Sequence, residues 1–373
     1  MEVTVSREAL ARGLNIVSRA VATRSTLPVL ANVLLATDEG RLRLSATNLE
    51  MAITCWIPAK VAEEGAITVP ARTFNDLVST FPNEGVTLKV EEGSVTLDVR
   101  CASSHTDIRG IDADEFPPLP VPDFSDGVRL LVEDFREMVQ QVAFAASTDD
   151  ARPVLTGVLL RVRGDQMTLA ASDGYRLSVR YADLPQPAGS DLEVIVPARA
   201  LTELARIADP EGELALVAPP ERGQIIFRVG EAELVSQLID GEYPAFEQII
   251  PRSYHTRTVL STEAFLKACK QAEIFAREGT NIVRLDITPG GDKPGELRVS
   301  SQSETGSSET TLLATVEGDP IVIAFNVRFL REALEAVKSP EVALETTAPA
   351  SPGVVRAVGD EHFLHVVMPM HLS

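Results

Sequence analysis

Only three cysteines, Cys55, Cys101 and Cys269, occur in 373 residues. Their odd number and wide spacing argue against a disulfide framework and against a zinc site built from close Cys pairs. Aromatic residues make up 5% of the chain, with a single tryptophan, so any core must rest on Val, Leu, Ile and Ala. No apolar run approaches the ~20 residues that a membrane-spanning helix requires. The opening MEVTVSR has no basic stretch followed by an apolar one. No secretory signal is therefore expected, and a cytoplasmic protein is. Glycine-rich phosphate loops and the patterns HExxH, GxSxG and CxxC are missing, which removes the usual signatures of nucleotide, zinc and acyl-transfer enzymes. His362 and His365 lie three apart at a predicted strand end and would face opposite ways, a poor metal pair. Asp173 and Gly174 read as a tight turn rather than as a catalytic acid. Glu91 with Glu92 and Asp149 with Asp150 read as solvent-facing charges. No enzymatic activity, cofactor or metal is expected.

What is present is a folded composition, 45% hydrophobic and 24% charged, long enough for two or three domains. The net charge is −20, and as a total it opposes nucleic-acid binding, because phosphate contacts need Lys and Arg. The charge is unevenly spread, however, and the sequence repeats itself. ITVPARTFNDL (67–77) resembles VIVPARALTEL (194–204), and a weaker third copy is IVIAFNVRFLREAL (321–334). TLPVLANVLL (26–35) echoes ARPVLTGVLL (151–160), while LRLSATNLE (42–50) echoes MTLAASDGY (167–175) and LRVSSQSE (297–304). Several matches in one order at one offset imply three similar domains, placed at 1–126, 127–253 and 254–373. Proline-rich PPLPVP (117–122) and IIPRS (249–253) suit extended joins, since proline fixes φ and lacks an N–H.

Each repeat has one plan: a short strand, a helix, strands with period-two alternation, a second helix and more strands. The six helices are expected at 6–22, 70–80, 133–146, 197–207, 261–277 and 325–338. Ser6 and Ser261 are N-cap candidates, and Pro70 and Pro197 should occupy first helical positions. Strands 86–90 and 95–99 flank EEGS (91–94), a hairpin signal. The fold class is α+β, with two helices packed on antiparallel sheet in each domain. The predicted helices hold thirteen Lys and Arg against ten Asp and Glu, so the acid lies in the rest of the chain. Helices sharing a surface would make it mildly basic, suited to sequence-independent phosphate contact, inside an acidic exterior that repels DNA; ordinary solvated helix faces would carry the same charges.

Along essentially its whole length the chain resembles the beta subunit of bacterial DNA polymerase III, the sliding clamp. The resemblance is carried by RSTLPVL (24–30), TNLEM (47–51), TVPAR (68–72), SDGYRL (172–177), VIVP (194–197), DGEYP (240–244), FNV (325–327) and VVMPM (366–370). It implies a DNA clamp fold in which two chains join head to tail as a pseudo-sixfold ring around duplex DNA. It also implies a processivity factor without enzymatic activity. Implied partners are double-stranded DNA bound without sequence specificity, the replicative polymerase subunit, a separate clamp loader, other DNA polymerases and repair proteins, and a second copy of the chain, but no membrane. By position, the resemblance implies a pocket for short partner peptides at Arg152, Leu155, Ser172, Gly174, Tyr175, Arg176, Leu177, Pro244, Ile249, Asn326, Val366, Val367, Met368, Pro369 and Met370. Arg152 and Arg176 could fix backbone or acidic groups of the peptide. Val366 to Met370 could equally be a last core strand. Arg24 matches a family DNA contact. Arg72, Arg199, Lys267, Lys270, Arg328 and Arg331 are added from their helix positions. At the chain-to-chain interface, Ile108 would approach Ile274 and Phe275 of the second copy. The chain departs from the family at Pro153 and Val154, which cannot bond phosphates through their side chains, at Gln248, where a basic residue can occur, and at His371, where an arginine is common. The competing readings are a three-repeat peptide-binding scaffold with no topological link to DNA, and an enzyme with its site between repeats.

Overall fold

A computed structural model describes Met1 to Pro220 and Arg222 to His371. Six α-helices form among the described residues: α1 (Arg7–Val17), α2 (Ala71–Ser79), α3 (Val132–Val142), α4 (Ala198–Ile207), α5 (Thr262–Ala276) and α6 (Val327–Ala336). Five fall within the expected windows, and α3 starts one residue before its window, at Val132. Single 3₁₀ turns, Ser18–Ala20 and Ala143–Ala145, follow α1 and α3 and account for the extra length expected there. Ser6 Oγ accepts the Ala9 N–H and Ser261 Oγ accepts the Ala264 N–H, so each satisfies an N–H that the first turn leaves unpaired. Pro70 and Pro197 differ from expectation by one residue. Each is the last residue of a strand, and the helices start at Ala71 and Ala198. Pro70 has φ −54° but ψ 114°, an extended ψ that serves the strand before it.

The helices form because their apolar residues recur at helical spacing. Leu10, Gly13, Leu14 and Val17 are the buried face of α1, and full burial of each large side chain is worth ~1.5–3 kcal/mol. α1 lies on strands Arg41–Thr47 and Met51–Pro58. A Cβ at Gly13 would come within 2.5 Å of Leu44 Cδ1 and 3.0 Å of Ile57 Cγ2, so glycine there sets how closely helix and sheet approach. On α5 the buried set is Thr262, Phe265, Ala268, Cys269, Ala272 and Ala276.

The chain divides into two compact units, Met1–Phe135 with Glu203–Leu238, and Arg136–Thr202 with Ile239–Ser373. The first unit holds an antiparallel five-stranded sheet and an eight-stranded sheet. In the latter, strand Ala232–Gln237 pairs with Met51–Pro58, so strands from the first and middle repeats form one sheet. The second unit holds a twelve-stranded antiparallel sheet. Strand Arg176–Asp183 pairs there with Phe363–Val367, joining middle and last repeats in the same way. Sequence repeats identify equivalent strands but not the pairings between repeats, and those pairings make the continuous sheets. The expected hairpin is present. Gly85–Lys89 pairs with Thr96–Cys101, and Gly93, at φ +74°, supplies the left-handed turn.

Candidate functional site

The join between strands Arg176–Asp183 and Phe363–Val367 brings most of the peptide-pocket residues together. Leu177 stands opposite Val366, and Arg176 opposite Val367. Leu177 and Val366 belong to a buried cluster with Leu159, Ile195, Tyr243 and Phe246, against which Val154 and Ile250 pack. Val366 and Val367, each 1% exposed, are floor and core. The chain then leaves the sheet. Met368 donates its N–H to the Tyr175 carbonyl at 2.9 Å, and Met370 donates to the Ala324 carbonyl at 2.8 Å. A bridge from Phe325 to Pro369 seats this tail beside Asn326, whose side chain accepts the Arg328 N–H at the start of α6. The last strand is thus core up to Val367, and from Met368 onward it is a partly exposed rim.

The turn that enters strand Arg176–Asp183 is built from short polar side chains. Asp173 Oδ1 accepts the N–H groups of Tyr175 and Arg176. Ser172 Oγ accepts the Gly174 N–H and donates to the Arg176 carbonyl at 2.7 Å. Gly174, at φ +91°, takes a backbone conformation that L side chains rarely adopt. This locked turn projects Tyr175 outward, 62% exposed. Arg152 caps the turn from the 3₁₀ side, with Nη1 donating to the Asp173 carbonyl and Nε facing Asp149. Leu155, half-buried, sits in the turn Pro153–Thr156 and accepts the Ser147 N–H through its carbonyl. A Cβ at Gly241 would come within 2.7 Å of Val154 Cγ2, which brings the segment carrying exposed Pro244 and Ile249 alongside. Tyr175, Ile249 and Met368 are exposed, and Leu177 and Val366 are buried in the cluster beneath the turn.

Arg176 does not reach this surface. Its side chain is 5% exposed, with the guanidinium carbon 5.3 Å from the Phe144 ring centre and 4.5 Å from that of Phe329. It donates to Asp173 Oδ2, to the Phe144 carbonyl and to Glu332 Oε2. It therefore braces the Ser172–Arg176 turn from within and is not free to meet a peptide. Glu332 Oε1 accepts from Arg328 Nε at 2.9 Å. Burial works to raise the Glu332 carboxyl, but the hydrogen bonds from Arg328 and Arg176 outweigh it and hold the group below its ordinary range. Beneath the same ring of Phe144 lies His365, fully buried and stacked at 5.5 Å. Ser178 Oγ donates to the Gln141 carbonyl and so must accept from His365 Nδ1, 2.7 Å away. Phe144, Phe329 and Glu332 escaped sequence reasoning, and His365 entered it only as one half of a poor metal pair. Phe329 and Glu332, three apart on α6, share a face, but nothing in the sequence says that Arg176 lies between them and Phe144.

Of the basic candidates, Arg24, Arg72, Arg199, Lys267, Lys270 and Arg328 are exposed. Arg72 has a loose pairing with Asp76 at 3.9 Å, whereas Lys270 is held by Glu335 at 3.0 Å. Arg331 is half-buried and engaged by Glu273 and Glu335, which leaves it the least available for phosphate. Of the interface candidates, Ile274 is 50% exposed and Phe275 half-buried, with a Cβ at Gly306 falling 3.0 Å from the Phe275 ring. Ile108 is 6% exposed and committed to its own domain, so its strand, Ser104–Arg109, offers a sheet edge rather than that side chain. The structure also gathers Asp98, His105 and Asp107, where Arg100 holds Asp98 through both carboxylate oxygens and lowers its pKa.

Three profiles of the DNA polymerase III beta subunit match in order: its N-terminal domain at residues 1–120, its central domain at 129–245 and its C-terminal domain at 247–371. The chain belongs to the DNA polymerase III beta subunit family. It is 36% identical to the beta sliding clamp of Synechococcus elongatus and 28% identical to that of Bacillus subtilis, over 100% and 99% of both chains. Among solved structures it superposes on the Bacillus subtilis sliding clamp with a TM-score of 0.94 at 27% identity. It superposes on the Pseudomonas aeruginosa clamp bound to griselimycin with a TM-score of 0.93 at 30% identity. Both pairs are covered completely. The clamp fold and the role of DNA replication processivity factor expected from the resemblance are borne out, and such a factor is not an enzyme. The family binds DNA and the polymerases and other partners that it tethers. Among the described residues no helix is long and apolar enough to cross a membrane.

Proposed function

We propose that this chain tethers its partners through the groove around Tyr175, Leu177, Ile249, Val366 and Met368, while two copies close around duplex DNA. The observation that carries the groove is the Ser172–Arg176 turn. Its four hydrogen bonds fix the backbone before any ligand arrives, so little ordering entropy is left to lose on binding. The occupants are short apolar segments of the replicative polymerase, the clamp loader and other polymerases and repair proteins, all acting on cytoplasmic DNA. Arg152, Leu155, Ser172, Gly174, Pro244, Asn326, Val367, Pro369 and Met370 frame the groove, and Arg176 supports it from beneath. Residues 1–126, 127–253 and 254–373 are the three clamp modules.

Arg24, Arg72, Arg199, Lys267, Lys270 and Arg328 supply phosphate contacts, which are independent of base sequence and weaken with salt; Arg331 contributes less, being ion-paired. The homodimer forms through open sheet edges. Strand Gly306–Gly318 pairs with strand Thr256–Ser261 only from Thr315 onward, so among the described residues 306–314 have a free edge, with Gly306 beside the Phe275 ring. The outer strand Ser104–Arg109 of a second copy would pair there.

The test is isothermal titration with griselimycin, the ligand named for the Pseudomonas aeruginosa relative. Met368→Asp places a charge on the exposed rim and should weaken binding at least ~10-fold, as burying an unpaired charge against apolar surface would, with an unchanged melting temperature. Equal affinity in variant and wild type sinks the groove. The scaffold reading differs only in topology: a clamp loaded on nicked circular DNA stays bound through a salt wash and is released when the circle is cut, whereas a scaffold washes off both.

A further inference from the structure

Glu332 is half-buried on α6, and each of its carboxylate oxygens serves a different arginine. Oε2 holds Arg176, the buried brace beneath the Asp173–Arg176 turn, and Oε1 holds Arg328, an exposed cation on the outer side of the same helix. Arg331 lies 3.6 Å from Oε1 on that outer side. The two arginines therefore compete for one negative charge, and only one of them faces solvent. An anion that engages Arg328 removes the nearer competitor for Glu332 Oε1 and leaves Arg176 a larger share of the carboxylate charge. Arg176 cannot move without disturbing the turn, because it also holds Asp173 Oδ2 and the Phe144 carbonyl between two aromatic rings.

We propose that Glu332 is a positioning residue that couples the two surfaces: phosphate bound at Arg328 tightens the brace on the Asp173–Arg176 turn, so that DNA on α6 raises the affinity of the groove for partner segments. The coupling is reciprocal, as linkage requires, so an occupied groove also strengthens the hold of α6 on phosphate. It rests on the groove and phosphate assignments above. Its route is a contiguous set of charged contacts within one compact unit, and each step is a named atom pair.

The experiment is griselimycin titration of the intact protein at low salt, with and without a saturating short duplex DNA. Four proteins are compared: wild type, Arg328→Ala, Glu332→Gln and the double variant. In wild type the duplex should tighten griselimycin binding by about threefold, the low end of energies for directly coupled neighbours. Arg328→Ala should mimic that tightening without DNA and abolish the further effect of duplex. In Glu332→Gln neither duplex nor Arg328→Ala should change the affinity. A merely structural role for Glu332 would lower affinity in its own variant yet leave the response to duplex intact, and that result overturns the proposal, as does a wild-type affinity indifferent to duplex. If Glu332→Gln melts early, Arg328→Ala, altered only at an exposed position, still carries the test. A wild-type protein that binds no griselimycin overturns the groove assignment, and the coupling with it. Binding without a duplex response overturns the coupling alone.

Discussion

The burial of His365 makes the stability of the second unit dependent on pH, with a magnitude that follows from the structure. Burial, reinforced by the nearby positive charge of Arg176, pushes the imidazole pKa from 6.5 down to about 3. The ring is neutral when folded, with its Nδ1 proton given to Ser178 and its Nε2 buried without a partner among the described residues. A second proton would be placed at Nε2 with no acceptor, beside a guanidinium. Unfolding frees the ring to take up a proton once the pH falls below 6.5. The unfolded state then binds more protons than the folded one, and stability falls as pH falls. The contribution is complete above the unfolded pKa and is lost at up to ~1.4 kcal/mol per pH unit below it. Between pH ~7.5 and ~5 it amounts to about 2 kcal/mol. The assay is urea unfolding of wild type and His365→Asn across that interval. The asparagine amide can replace Nδ1–H as a donor to Ser178 but does not titrate. All other titrating groups are common to both proteins and cancel in the difference of slopes. Parallel pH dependences would refute the reasoning, and so would a fully protonated His365 resonance at pH ~5 in the folded protein.

Other predictions concern single contacts. Gly13→Ala should destabilise the first unit by about 1–3 kcal/mol, read as a lower unfolding midpoint, because its methyl group would press on fully buried Leu44 and Ile57. Ser261→Ala should cost ~1 kcal/mol by removing the cap of α5, whereas Ser261→Asp should retain most of it. Arg176→Ala should cost about 3–5 kcal/mol and weaken griselimycin binding as well, since it leaves Glu332 and Asp173 without their buried partner. Lys267→Ala should reduce the dependence of duplex affinity on salt by about one counterion while leaving the melting temperature unchanged; an unaltered slope would remove Lys267 from the phosphate surface. Ile274→Ala with Phe275→Ala should give monomers in sedimentation at a concentration where wild type is dimeric.

Helix positions were legible because they depend on local chemistry. Spacing of apolar residues, a serine before a helix and a proline at its entrance act within a few residues, and α1, α5 and α6 formed where those signals stood. The shift of Pro70 and Pro197 into the preceding strand is a boundary decision that strand pairing takes, since each belongs to the ladder of its sheet. Repeats in the sequence exposed the modular plan, and ordered motifs over the whole length exposed the family. The groove was legible only as a set of positions. Its residues come from five segments up to about two hundred residues apart, and the sequence could not say which of them face a ligand. Arg176 shows the limit: its charge and its place in SDGYRL suggested a ligand contact, yet two aromatic rings and two carboxylates enclose it.

The sequence by itself determined the element order, the α+β class, the capped helices and the family, because periodicity, turn chemistry and motif order are all written along the chain. Tertiary structure alone decided that strands of neighbouring repeats join into continuous sheets and that Val367 is core while Met368 is rim. It also decided that Glu332 stands between Arg176 and Arg328. These depend on which segments meet, and long-range pairing is set by burial across the whole unit rather than by any local run of residues.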